Sequence, residues 1–214
     1  QLIENYCENV RRLGKAGVKC ICYNFMPVFD WLRSELEHAQ PDGANALAYD
    51  DETVKAMDPS SGDLSLPGWD ASYKPEELGA LIKAYKELGE DGLWKNLAAF
   101  LEAVIPVAER AGVNMAIHPD DPPWGMFGLP RIITCKKNIQ RMFDIVPSRN
   151  NGLTLCTGSL GANPDNDLVD MARSFADRIH FAHIRNIKFD GYRRFEEVGH
   201  ATECGSLPIY DIVK

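Results

Sequence analysis

Apolar residues at Leu2, Ile3, Tyr6, Val10 and Leu13 recur at intervals of three and four, so Leu2 to Ala16 reads as an amphipathic helix that Gly17 stops. The period then changes. VKCICYNFM, from Val18 to Met26, is nearly continuous in apolar character, rich in β-branched and aromatic residues, and bounded by Gly17 and Pro27. That pattern suits a strand buried in a parallel sheet, with Cys20 and Cys22 on one face of it. Between Pro27 and Lys74 no period is sustained, and Asp42-Gly43, Ser60-Ser61-Gly62 and Pro67-Gly68 punctuate the segment, so an irregular insertion is expected at about 27–74. Loops of that length are uncommon unless functional. A helix is expected from Pro75 to Leu88, on the stripe Leu78, Leu81, Ile82 and Tyr85. A longer one follows, lined by Leu93, Leu97, Phe100, Leu101, Val104 and Ala108, kinked at Pro106 and ended by Gly112. Beyond it the pattern becomes regular: strand Val113 to His118, helix Lys136 to Val146 capped by Thr134, strand Leu153 to Thr157, helix Leu168 to Phe175, strand Ile179 to Ile184.

This βαβαβ alternation implies a parallel sheet with right-handed crossovers, either open and doubly wound or closed into a barrel. No Gly-x-Gly-x-x-Gly follows a strand and no Gly-x-x-x-x-Gly-Lys occurs, which removes support for the nucleotide-binding versions. The four strands amount to half of an eight-stranded barrel, whose full form takes about 250 residues. The chain opens at Gln1 inside a helical pattern and stops at Lys214 as another helix begins, so both termini are expected to be cut from a longer element series. One domain, 1–214, is expected.

Composition narrows the functional classes. The 214 residues are 45% hydrophobic and 25% charged, ordinary for a globular chain with one sizeable core, and no apolar run approaches the roughly 20 residues of a membrane helix. A cytoplasmic protein with no membrane partner is expected. The net charge of −8 and scattered basic residues lack the footprint that attracts a phosphate backbone, so nucleic acid is not an expected partner. Six cysteines without a C-x-x-C pair point to reduced thiols.

Three metal-competent side chains stand where strands end: His118 closing VNMAIH, Cys156 closing LTLC, and His183 closing IHFAH. In α/β barrels that end is the active-site face. Alternation along a strand puts Asn114, Ala116 and His118 on one face, Thr154 and Cys156 on one face, and Phe181, His183 and Arg185 on one face. If those faces point inward, three ligands converge at one rim, whereas His180, at odd spacing from His183, should face the outer helices. A lone buried His or strand Cys is commonly structural. Equivalent positions on three successive strands argue for a metal, and two imidazoles with a thiolate suit zinc or ferrous iron. Asp120 and Asp121 in HPDDPPWG could serve an anionic polyol or act as turn caps. Arg185 and Asn186 could bind a carboxylate, with a salt bridge as the competing role for Arg185. Asn24, at the end of the first strand, is a further substrate candidate.

On these residues the sequence resembles the mannonate dehydratase family, related in fold to xylose isomerases. The matching segments are CYNFMPVFDW (22–31), LPGW (66–69), IHPDDPPWGMFGLPRI (117–132), LCTGSLGANPDND (155–167) and RIHFAHIRN (178–186), spread over nearly the whole chain, and HPDDPPW and CTGSLGA are highly specific. The resemblance implies a (β/α)8 barrel, here incomplete, and dehydration of D-mannonate to 2-keto-3-deoxy-D-gluconate in hexuronate breakdown. It implies Mn2+ or Fe2+ held by His118, Cys156 and His183, and aligns His200 with a histidine near the site. The thiolate makes Fe2+ chemically reasonable, since manganese normally prefers oxygen. An Asp-His-Gly segment and a later Tyr, which the family carries as acid/base candidates, are expected past Lys214, so the 214 residues alone are expected to be inactive. A homodimer is the expected assembly. The alternatives are a sugar isomerase or epimerase of the same barrel superfamily, whose metal shells are generally richer in carboxylates, and a non-catalytic sugar-acid-binding relative.

Overall fold

The structure, a computed structural model, describes residues 1–57, 59 and 74–214; the LPGW run at 66–69 and the turn signals at 60–62 and 67–68 lie outside the described residues. The described elements run α1 (Leu2–Lys15), β1 (Cys20–Tyr23), β2 (Glu35–Ala39), β3 (Asn45–Asp50), α2 (Asp51–Ala56), α3 (Pro75–Ala111), β4 (Asn114–Ile117), α4 (Lys136–Ile145), β5 (Asn151–Cys156), α5 (Thr157–Gly161), α6 (Leu168–Ser174), β6 (Ile179–His183), β7 (Asn186–Gly191), β8 (Arg194–Val198) and α7 (Ile209–Val213), with a 3-10 turn at Thr202–Cys204.

The apolar runs form the expected parallel sheet, in the order β1-β4-β5-β6. Helices cover its outer face. Leu97, Leu101, Val104, Ile105 and Ala108 of α3 are fully buried with Val113, Met115 and Ile117, and each such Leu or Ile contributes roughly 1.5–3 kcal/mol of transfer free energy. Helix α1 packs on α3 through Tyr6, whose ring meets Phe100 edge-on at 5.1 Å. The two helices expected between Pro75 and Gly112 are joined end to end: the backbone leaves helical geometry at Gly89 (φ 64°, ψ −176°), and Pro106 sits inside the run without such a break. Gly112 ends it in the left-handed region (φ 67°), which a side chain would disfavour. At α4 the N-cap is Cys135 rather than Thr134, without a side-chain cap bond; the Thr134 hydroxyl instead accepts from Asn138.

The described part of the segment expected to be irregular is different. It supplies β2, β3 and α2, and β2 and β3 join β8 and β7 in a second, antiparallel sheet of order β2-β3-β8-β7. Asp42 and Gly43 make the β2–β3 turn, where Gly43 takes φ 87° and the Asp42 side chain accepts from the Ala44 amide at 2.9 Å. Asp50 then caps α2 by accepting from the Thr53 amide at 2.9 Å. Aromatic packing holds this sheet over the end of the parallel one. Tyr49 of β3 stacks on Phe195 of β8 at 5.5 Å and meets Trp124 edge-on at 5.4 Å, and the Trp124 indole donates to the Tyr49 hydroxyl at 3.0 Å. Trp124 belongs to the HPDDPPWG loop after β4, so that loop joins the two sheets.

Candidate metal centre

The register of the parallel sheet makes Cys156 and His183 direct neighbours on β5 and β6, and the His118 amide donates to the Tyr23 carbonyl at 2.8 Å, extending the β1–β4 ladder to the strand end. The three side chains converge as the alternation predicts. His118 Nε2 lies 3.3 Å from His183 Nδ1, Cys156 Sγ lies 3.5 Å from the same nitrogen, and one ligand atom from each residue falls within 4.8 Å of the others. His180, by contrast, turns its ring to the Arg149 carbonyl at 2.7 Å.

The donor set fits a first-row divalent ion. With metal–nitrogen distances of about 2.05 Å and metal–sulfur of about 2.3 Å, tetrahedral ligands stand about 3.4 Å (N to N) and about 3.6 Å (N to S) apart, close to the separations found here. Tautomer supports the same reading. His118 Nδ1 is 2.8 Å from the Pro119 carbonyl, which requires a proton on Nδ1, so in the neutral ring it is Nε2, facing the other two donors, that offers the lone pair. Burial pushes the Cys156 thiol up, but His118, His183 and Arg185 more than offset this and hold it well below the ordinary thiol value, giving the thiolate that binds metals.

Around the triad is a buried charge cluster drawn from both sheets. Asp121 receives a two-pronged pair from Arg33 at 2.9 and 3.0 Å and a bond from Arg185 at 2.7 Å; both guanidinium groups also reach Glu197 on β8, Arg33 at 2.9 Å and Arg185 at 2.5 Å. Burial alone would raise the Asp121 carboxyl, yet Arg33 and Arg185 hold it far below the usual carboxylate range. Both arginines stay charged. A cavity of about 560 Å³ opens beside the triad, walled by Asn24, Trp31, His118, Phe181, His183 and Arg185 among others.

Of the substrate candidates, Asn24 and Arg185 line this cavity. Arg185 is held by Asp121, Glu197 and Ser159, so the salt-bridge role weighed for it is present, and its fork is occupied rather than free. Asp120 is buried and used elsewhere: it accepts from the Ile132 and Ile133 amides at 2.8 and 2.6 Å and pairs with Arg131 at 3.3 Å, pinning the loop after β4. Asn186 is buried too, donating to the Ala201 carbonyl at 2.7 Å and accepting from the Leu207 amide at 3.3 Å. His200 is exposed in the loop after β8. Arg33, Glu197 and Ser159 were not singled out from sequence. Arg33 and Glu197 find their partners at long range, whereas Ser159 lies three residues from Cys156 within the CTGS run, the one local signal among them.

Gly158 leaves room for the cluster. A Cβ there would stand 2.9 Å from Arg185 Cζ and Nε. Gly158→Ala is therefore expected to displace the guanidinium from the Cys156 sulfur and weaken metal retention by on the order of 10-fold, read by metal titration; parent-like affinity would contradict it.

The D-mannonate dehydratase (UxuA) family profile matches residues 1–214, the whole chain. The chain belongs to the D-mannonate dehydratase family. It is 50% identical over 214 residues to mannonate dehydratase 2 of Halalkalibacterium halodurans and 49% identical over 215 residues to mannonate dehydratase of Streptococcus agalactiae serotype V, covering 99% and 100% of this chain. It spans 62% of the length of each of these curated relatives. The crystal structure of mannonate dehydratase from Streptococcus suis serotype 2 superposes with a TM-score of 0.88 at 42% identity, covering 99% of this chain and 57% of that one. Family membership thus rests on agreement along the whole chain, with the parallel sheet, the His-Cys-His cluster and the joining loop all inside the matched residues.

Proposed function

We propose that the protein acts as a mannonate dehydratase, eliminating water from D-mannonate to give 2-keto-3-deoxy-D-gluconate in hexuronate catabolism. The observation that carries the proposal is the gathering of His118, Cys156 and His183 donor atoms within 4.8 Å at one end of the parallel sheet, in a chain of this family. In this reading the sheet is an arc of a (β/α)8 barrel, the protein is cytoplasmic, and it assembles as a homodimer.

The three residues would hold Mn2+ or Fe2+, and the thiolate weights the choice towards Fe2+. When bound, such an ion supplies positive charge against the substrate oxygens at which negative charge grows. The reaction removes the proton at C2, beside the carboxylate, and expels the C3 hydroxyl, which leaves as water on protonation; the resulting enol becomes the 2-keto acid. Arg185 and Asn24, on the cavity wall, are the substrate-side residues, and Arg185 acts as a fixed positive charge rather than as an open fork. Asp120 and Asn186 are spent on the backbone of neighbouring segments and carry no substrate contact in this reading. His200 stays in the proposal through the family resemblance alone. Trp31 and Phe181 give the cavity an apolar side that limits water around the reacting carbons.

The experiment is incubation of the full-length protein with D-mannonate and either ion, followed by detection of a 2-keto-3-deoxy acid. A ketose or an epimerised sugar acid would favour the isomerase or epimerase reading. Mannonate bound but unchanged, by protein lacking stoichiometric Mn or Fe, would favour a non-catalytic relative.

A further inference from the structure

The run Cys156-Thr157-Gly158-Ser159 does more than deliver a sulfur. Thr157 clamps the backbone of Arg185, its hydroxyl donating to the Arg185 carbonyl at 2.6 Å and accepting from the Arg185 amide at 2.8 Å. Gly158 leaves space for the guanidinium. Ser159, fully buried, sits between the two: Arg185 Nη2 donates to its Oγ at 3.0 Å, and its own hydroxyl points at the Cys156 sulfur, 3.1 Å away. Because Oγ already accepts from Arg185, its single proton is directed to the sulfur. Arg185 Nη2 is itself fixed by Asp121 at 2.7 Å and reaches the same sulfur at 3.5 Å.

We propose that Ser159 is a positioning residue for the metal-ligating sulfur: its hydroxyl proton holds the sulfur from one side, beside the Arg185 charge, and leaves the side that faces the His118 and His183 nitrogens for the ion. The ordinary role of a serine in a short helix is to bond a backbone carbonyl one turn back. Here the partner one turn back is the Cys156 side chain instead. A sulfur held by the Ser159 hydroxyl loses rotational freedom and some electron density, so the relay Asp121 to Arg185 to Ser159 to Cys156 sets both where the ligand points and how strongly it donates. The inference rests on the metal-centre reading above.

The test is Ser159→Ala in the purified protein loaded with Co2+, reading the sulfur-to-cobalt charge-transfer absorption and the Co2+ dissociation constant. Loss of the hydroxyl is expected to move the band to longer wavelength, because the sulfur becomes more electron-rich, and to weaken Co2+ binding by on the order of 10- to 100-fold. Ser159→Thr, which keeps the hydroxyl, is expected to keep the parent band. A merely structural serine would lower thermal stability without moving the absorption, and an unchanged band and affinity in Ser159→Ala overturn the inference. Ser159→Gly makes the same deletion should the alanine variant not accumulate, and an unchanged band there overturns it equally. Parent protein that binds no Co2+ through sulfur would remove the metal-centre reading itself; a normal parent band with an unmoved variant removes only the role of Ser159.

Discussion

His118→Ala and His183→Ala are each expected to lose metal by more than the 10- to 100-fold that deletion of an outer hydrogen-bond partner costs, because each removes one of three side-chain donors outright. The two nitrogens stand 3.3 Å apart and both face the Cys156 sulfur, so neither substitution leaves a spare donor in the described cluster to take its place. Folding should survive both changes. His183 is exposed on the cavity side of β6, and His118 is half-buried with its ring bonded to the adjacent Pro119 carbonyl and otherwise facing its partners in the cluster, His183 and Cys156. Metal content by elemental analysis, with thermal unfolding of metal-free protein as the control, separates the outcomes. Stoichiometric Mn or Fe in both variants would sink the triad, whereas parallel loss of metal and of fold would make the histidines structural. Cys156→Ser in the same assay is expected to keep weak binding and shift preference towards ions that favour oxygen.

The parallel sheet was legible because its strands are apolar runs: all six residues of β5 are buried, and β1 and β6, half-buried to exposed at the sheet's two edges, still carry the same continuous pattern. The antiparallel sheet was not. ELEHA in β2 alternates between exposed and half-buried positions, so although Asp42-Gly43 and Asp190-Gly191 mark its two hairpin turns, no continuous buried run beside them marked the strands. The site divides the same way. His118, Cys156 and His183 each end a strand that period-two alternation can orient, so their convergence could be argued residue by residue. Arg33 and Glu197 could not be found, since Arg33 is 88 positions from Asp121 and 164 from Glu197 and reaches both only because the second sheet folds over the first. Asp120 and Asp121 show the limit most sharply. Adjacent in sequence and chemically identical, they send their carboxylates to different partners, one to Arg131 and two loop amides and the other to Arg33 and Arg185, and nothing local distinguishes them.

That difference makes Asp121→Asn the substitution with the largest expected effect on stability. Arg33 is 1% exposed, and with Arg185 it would keep only Glu197 as a shared counter-charge, while the new amide NH2 would point a donor at guanidinium donors. Breaking one member of a buried ion cluster costs about 3–5 kcal/mol, chiefly because charge is left buried without its partner. For a chain of this size that corresponds to a drop in Tm of roughly 10 °C. The pH dependence has a definite sign. The folded-state carboxyl is depressed below its unfolded value by Arg33 and Arg185 despite burial, so its stabilisation is fully present above the ordinary Asp pKa of about 4 and is lost as pH falls below it. Thermal melts from neutral pH downward should therefore show parent and Asp121→Asn converging in acid, with the gap widest near neutrality. Because the cluster is coupled, Arg33→Gln combined with Asp121→Asn should cost less than the sum of the two single changes. A single variant within about 1 kcal/mol of the parent at neutral pH, or strictly additive behaviour of the pair, would mean that the four charges are independent and that the joint between the sheets rests on Tyr49, Trp124 and Phe195 instead.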